Sequence, residues 1–271
     1  MRRRCAADGD HSRIVRRLFF EEFPWDLRMA GRLTIWHLYA VPGTAAVIGS
    51  TGALATRAEL TSLMFGDLLE GGLDTPRARE IFRVINHGHQ AGGVSREDNR
   101  YAIAALAVNA VRWLDRYGAR RPTAVERHAL TNFFADVGHR IGVPDVPRRY
   151  GELAAYFAGC ERERIAYSPA GRAASERTLD MVRARTPAPL RPWIPILFAA
   201  MLPVPVARAV GLPDPPSAVR RAVTAVLTLR GRVVGGLPPR REPTTPRSRR
   251  GLPSFADDPT AAARSIGGLN P

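Results

Sequence analysis

SREDNRYAIAALAVNAVRWLDRYG, residues 95–118, decides the fold class of this 271-residue chain. Ser95 followed three residues later by Asp98 reads as an N-cap arrangement, in which a short side chain accepts from a backbone N–H that has no intrahelical partner. Tyr101, Ile103, Leu106, Val111, Trp113, Leu114 and Tyr117 then recur near the helical period, and Gly118 supplies the stop. The next stretch repeats the pattern. Thr123-Ala124-Val125-Glu126 is a full capping box ahead of Leu130, Phe133, Phe134, Val137 and Ile141, and Gly142 closes that helix. No long stretch alternates apolar with polar residues, so the expected class is all-α.

Working outward, residues 56–70 carry Leu60, Leu63, Met64, Leu68 and Leu69 as an apolar stripe stopped by Gly71-Gly72. Thr75-Pro76 opens another helix, with Ile81, Phe82 and Ile85 as its buried face. Upstream, Phe23-Pro24 forces an extended break, after which Asp26 is predicted to cap a buried helix over residues 27–41 that ends at Pro42-Gly43. His37 in that helix reads as a packed core histidine. The apolar segment Ala45 to Leu54 is interrupted by Gly49 and Gly52. Downstream, residues 150–167 form a helix with Leu153, Tyr156, Phe157 and Ile165 facing inward and Glu161-Arg162-Glu163-Arg164 facing water, followed by a helix over residues 170–184. Residues 193–212 are the most apolar stretch, but Pro195, Pro203 and Pro205 break it below the roughly 20 residues a spanning helix needs, which leaves core or an interface-lying segment. A basic, partly apolar helix over residues 216–234 follows. The organisation expected is an N-terminal arm over residues 1–20, one multi-helix domain over 21–237, and a disordered Pro/Arg-rich tail over 238–271.

The formal charge is +15, yet every cation in it is arginine, because the chain contains no lysine. Residues 181–250 hold thirteen arginines against Asp214 and Glu242, so the excess belongs to the C-terminal part. Such a region can meet phosphates or acidic lipid headgroups, and a basic membrane-surface or nucleic-acid binding protein is one reading of it. Nucleic acid is the weaker partner, since the charge is not interleaved with aromatics. Cys5 and Cys160 are too few for a disulfide framework or a zinc site, and Arg2-Arg3-Arg4 is not followed by the apolar core of a signal peptide. A cytoplasmic setting is expected, with peripheral membrane contact as a possibility the apolar stretch allows. No hydrolase elbow, phosphate loop, dinucleotide fingerprint or zinc-protease helix occurs.

The chemistry-bearing residues concentrate between 57 and 101. Arg57 and Thr61, four apart, share a helix face, which by itself is the ordinary look of first-turn surface residues. His87 and His89 flank Gly88; two-residue spacing on a helix turns them apart by about 200°, so one metal ligand is simpler than two. From the residues alone the reading is an α-helical protein with a haem or ligand pocket.

Phe23-Pro24-Trp25-Asp26, Thr51-Gly52, Arg57…Thr61, Ile85-Asn86…His89, Ser95-Arg96-Glu97-Asp98…Tyr101, Trp113-Leu114-Asp115-Arg116-Tyr117-Gly118, Gly138-His139-Arg140-Ile141-Gly142-Val143-Pro144-Asp145-Val146-Pro147 and Ala209-Val210-Gly211-Leu212-Pro213 together resemble the MpaB and latex-clearing (rubber) oxygenase family, over roughly residues 20–240. The resemblance rests on the order of many short motifs. It implies an all-α, partly globin-like fold holding haem b, with O2-dependent cleavage of carbon–carbon double bonds in an apolar, isoprenoid or lipid-like substrate. Carried over, His89 is the ligand to the haem iron, with His87 as the fallback, and Arg57 and Thr61 stand beside the haem as binding and catalytic residues. Two departures bear on the reaction: Leu60 stands where some members have a lysine that can be a sixth iron ligand, and no counterpart of the glutamate base of the rubber-cleaving enzymes is found. A haem or lipid carrier without turnover is therefore the second reading.

Overall fold

The helix that opens after Ser95 runs from Arg96 to Tyr117 and packs against four other helices. The structure is a computed structural model and describes residues 11–49, 54–238 and 243–244, with only the helical backbone described for 54–59. Among these residues every regular element is a helix. In chain order they are α1 (residues 11–17, continuing as a π-helical turn, Leu18–Glu22), α2 (Pro24–Tyr39), α3 (Pro42–Gly49), α4 (Leu54–Gly71), α5 (Pro76–Ala91) and α6 (Arg96–Tyr117). After these come α7 (Ala124–Arg140), α8 (Tyr150–Arg164), α9 (Pro169–Ala184), a 3-10 turn at Ala188–Trp193, α10 (Ile194–Met201), α11 (Val204–Ala209) and α12 (Ser217–Gly235).

Local chemistry explains most of the boundaries. The Ser95 hydroxyl accepts from the Asp98 N–H at 3.0 Å, and the Thr123–Glu126 capping box is reciprocal. Pro24, Pro42, Pro76 and Pro169 each stand first in a helix, where the missing N–H is not needed. Around α6 pack α2, α7 and α8. Tyr101 stacks on Phe157 of α8 with ring centroids 5.5 Å apart, and its hydroxyl donates to the His37 carbonyl of α2 at 3.3 Å. Trp36 of α2 lies 4.7 Å from the Phe198 ring of α10 and donates its indole N–H to Ser175 of α9 at 3.1 Å. Each such side chain, taken out of water, stabilises the fold by about 1.5–3 kcal/mol before the cost of ordering it. The buried core is continuous from Val15 to Leu212, so the described part of the N-terminal arm packs with the rest.

The structure corrects several local expectations. Asp26 does not cap a helix at 27. Pro24 starts α2 three residues earlier, which puts Asp26 in the first turn, 2 % exposed, where it accepts from the Trp113 indole N–H at 3.1 Å and pairs with Arg230 at 2.6 Å. Pro42-Gly43 ends α2 but also opens α3, and residues 50–53, with Thr51-Gly52 among them, lie outside the described residues. The run Glu161-Arg162-Glu163-Arg164 is only half solvated. Arg162 and Glu163 are exposed, whereas Glu161 reaches His37 and Arg112, each at 3.1 Å, and Arg164 pairs with Asp98. His37 is a core histidine, 3 % exposed, as read from the sequence. Residues 193–212 divide: Ile194, Ala199, Leu202, Val206 and Val210 belong to the core, whereas Trp193, Leu197 and Val204 are exposed. The expected tail, apart from Pro238, Pro243 and Thr244, lies outside the described residues. No described helix is long and apolar enough to cross a membrane.

Candidate functional site

The site is built on the end of α5. Thr75 caps its start, its hydroxyl accepting from the Ala78 N–H at 3.0 Å, and Ala78, Ile81, Phe82, Val84 and Gly88 are the face it buries. The Asn86 amide donates to the Arg140 carbonyl at 3.0 Å, which ties α5 to the end of α7. Gly88 does not interrupt the helix: it is buried within α5, which continues to Ala91. The stop is a Schellman motif: Val94 N–H donates to the His89 carbonyl at 2.9 Å, Gly93 N–H to the Gln90 carbonyl at 3.1 Å, and Gly93 takes φ +65°. His89 is thus the residue whose carbonyl the cap locks.

The two histidines are not equivalent. On a continuous helix they diverge, and His87 is exposed while His89 is half-buried, with its Nδ1 atom buried. Val47 of α3 closes on this end, since a methyl group placed on Gly92 would stand 3.5 Å from its Cγ1. Helices α4 and α5 pack together across the short turn 72–75, with Arg77 paired to Asp67 at 3.0 Å next to it. Arg57 and Thr61 stand in the first half of α4, and His89 stands in the last turn of α5. Thr61 is exposed and Leu60 packs half-buried against the core, while the Arg57 side chain lies outside the described residues. A cavity of about 470 Å³, lined by Phe82, Asn86, Arg79, Arg83 and Arg140, belongs to the other part of α5 and does not include His89.

Two polar clusters that the sequence reading missed hold the frame of this site. Asp98, at the start of α6 just after the α5 cap, accepts from Ser95 at 2.7 Å and from Thr44 of α3 at 3.1 Å, and pairs with Arg164 of α8. Burial pushes its carboxyl up, but the bonds from Ser95, Arg164 and Thr44 outweigh that and hold it below the usual carboxylate range. Glu161 shows the same balance, burial against its bonds to His37 and Arg112, and is also lowered. Ser95-x-x-Asp98 was visible as a cap; its pairing with Arg164, 66 residues on, was not. Among the described residues no three or more His, Cys, Asp or Glu side chains converge as metal ligands.

Residues 77–233 match the family described as "ER-bound oxygenase mpaB/B'/Rubber oxygenase, catalytic domain". The match takes in His89 and α6 to most of α12, and leaves Arg57 and Thr61 before its start. Curated relatives include two proteins of Penicillium brevicompactum, "ER-bound oxygenase mpaB" and "ER-bound oxygenase mpaB'", each 24 % identical over 135 residues that cover 45 % of this chain and 34 % and 31 % of theirs. "ER-bound oxygenase mpaB" of Penicillium roqueforti (strain FM164) is also 24 % identical over 135 residues, 45 % of this chain and 44 % of that protein. The matched stretch thus spans less than half the length of these relatives. With more than half of its residues inside the family match, the chain belongs to the ER-bound oxygenase mpaB/B'/rubber oxygenase catalytic domain family.

Proposed function

We propose that this protein is a haem-dependent oxygenase that acts with O2 on an apolar, isoprenoid or lipid-like substrate. The observation that carries the reading is His89: it falls inside the family match, at a helix end fixed by its own cap, half-buried with one ring nitrogen inside the protein. A buried Nδ1 leaves the other nitrogen of a neutral imidazole to serve iron. A histidine is a protein ligand that haem iron takes, because the macrocycle supplies the other donors. When bound, the haem supplies the activation of O2, and the protein supplies ligand, orientation and exclusion of water. In this reading His89 holds the iron. His87 is set aside as ligand because it lies on the exposed side of α5. Arg57, permanently charged, would pair with a propionate carboxylate, and Thr61 would offer a hydroxyl hydrogen bond. Leu60 presents a hydrocarbon side chain where a lysine would place a competing ligand. A cytoplasmic setting is part of the proposal.

The purified chain, reconstituted with haemin, is expected to show a Soret band that His89→Ala removes or shifts and His87→Ala leaves in place. A colourless protein that takes up no haem sinks the reading. The missing glutamate base favours one other reading, a haem carrier. Oxygen uptake in the presence of an unsaturated isoprenoid separates them, because a carrier binds haem and consumes none.

A further inference from the structure

Helix α12 packs through one face and leaves the other bare. Toward the protein, Gly231 lies against the carbonyls of Tyr117 and Gly118, Arg220 donates to the Leu202 carbonyl at 3.0 Å, and Thr224 accepts from Arg116 at 3.3 Å. At about 100° per residue the opposite side carries Val226, Leu229 and Val233. They are 65, 60 and 57 % exposed, and Leu237 just past the helix is 60 % exposed. A surface helix ordinarily turns its polar side outward, so a row of bare aliphatic side chains marks a contact surface. The proline-broken stretch 193–212, expected to be core or an interface-lying segment, is partly core and exposes Trp193, Leu197 and Val204; the row of exposed aliphatics along one helix face falls on α12.

Charge indicates what covers it. Arg221 and Arg232 are exposed on one flank of the row, and no acidic residue occurs from Ser217 to Leu237. The sequence then continues with Arg240, Arg241, Arg247, Arg249 and Arg250 against Glu242 alone. A second copy laid face to face would set these like charges against each other. Aliphatic side chains flanked by arginines match an acidic bilayer, where acyl chains receive the first and headgroup phosphates the second. We infer that the outer face of α12 docks the protein onto an anionic lipid surface, Val226, Leu229 and Val233 entering the headgroup region and Arg221 and Arg232 pairing with phosphates. The inference stands apart from the haem reading. If both hold, docking brings the enzyme to the phase in which an apolar substrate dissolves.

The test is flotation of the full chain with phosphatidylcholine vesicles, with and without an equal share of phosphatidylglycerol. The chain is expected to float with the acidic vesicles and far less with the neutral ones. Replacing Val226, Leu229 and Val233 together by Gln lowers partitioning about tenfold or more, and Arg221→Gln lowers it about fivefold. Removing residues 245–271 weakens binding without abolishing it. Because the triple variant changes a helix, Val233→Cys carrying nitrobenzoxadiazole in a Cys5→Ser chain gives a second readout: its emission shifts to the blue when acidic vesicles are added. No flotation of the unaltered chain, undiminished flotation of the triple variant, or complete loss on removing 245–271 overturns the inference. So does a concentration-dependent doubling of mass that the triple variant abolishes, which would give the face to a second copy.

Discussion

At the scale of single residues the most consequential contact is the one that closes the chain on itself. Asp26 of α2 and Arg230 of α12 are 204 residues apart, and Asp26 is buried with two donors, Arg230 at 2.6 Å and the Trp113 indole at 3.1 Å. Arg230 also lies over the Trp25 ring, 3.9 Å from its centroid. A buried pair gives little net stability against apolar residues of its own volume, but breaking it strands a charge. Arg230→Ala is therefore expected to destabilise the protein by about 3 kcal/mol, and the double change Asp26→Asn with Arg230→Met to recover most of that. Urea unfolding measures both; an Arg230→Ala chain as stable as the parent would show that Asp26 is solvated after all. Nothing local announced this role. Asp after Phe23-Pro24-Trp25 has the form of a cap, and only the return of α12, which supplies a cation, makes it a buried anchor. The same holds for Glu161 and Arg164, whose neighbours in sequence describe a solvated charged face while their partners His37, Arg112 and Asp98 sit on other helices.

At the scale of elements, what could be read was what is local. Caps such as Thr123–Glu126 and the periodic apolar stripes of α4, α6 and α7 depend on residues within a turn or two, and the helices stand where those signals put them. Which face of a helix is used is a tertiary matter. The outward row on α12 follows from Gly231 lying against the Tyr117 carbonyl, an approach that only a residue without Cβ permits, and no periodicity reports it. The candidate site divides along the same line. Motif order singled out His89, and under the proposed function its preference over His87 gains a physical ground from α5 running unbroken past Gly88, with one ring exposed and the other half-buried. The cap of α5 offers a direct test. Gly93 holds φ +65°, which costs a residue bearing a Cβ about 1 kcal/mol. Gly93→Ala is expected to lower the melting temperature slightly and, under the proposed function, to weaken haem uptake while His89 is still present. Retained stability together with a native Soret titration would detach the cap from the site.

For the whole molecule the decisive quantity is how its arginine excess is neutralised. Three carboxyls sit at junctions between helices and are held below the ordinary range. The hydrogen bond from Arg120 lowers Glu126, against its burial, from 4.5 to about 2; Asp98 and Glu161 are lowered by their own bonded partners. Arg120 also pairs with Glu22 of the first helical arm, so Glu126 belongs to a contact joining the N-terminal arm to the start of α7. A carboxyl lowered on folding stabilises the folded state at pH values above its unfolded value, and that contribution fades as pH falls toward the folded one. For Glu126 the window runs from 4.5 down to about 2, and protonating Asp98 and Glu161 acts in the same direction. Because the chain carries +15 at neutral pH, each protonation also adds to a positive charge that already repels itself. Thermal melts are accordingly expected to be nearly flat from pH 7 to 5 and to fall steeply below about 4.5. Glu126→Gln should flatten the lower part of that curve while lowering the plateau, since an amide keeps the shape and loses the titration. A melting curve that holds its neutral-pH value down to pH 3 would mean that these pairs do not join the helices in solution.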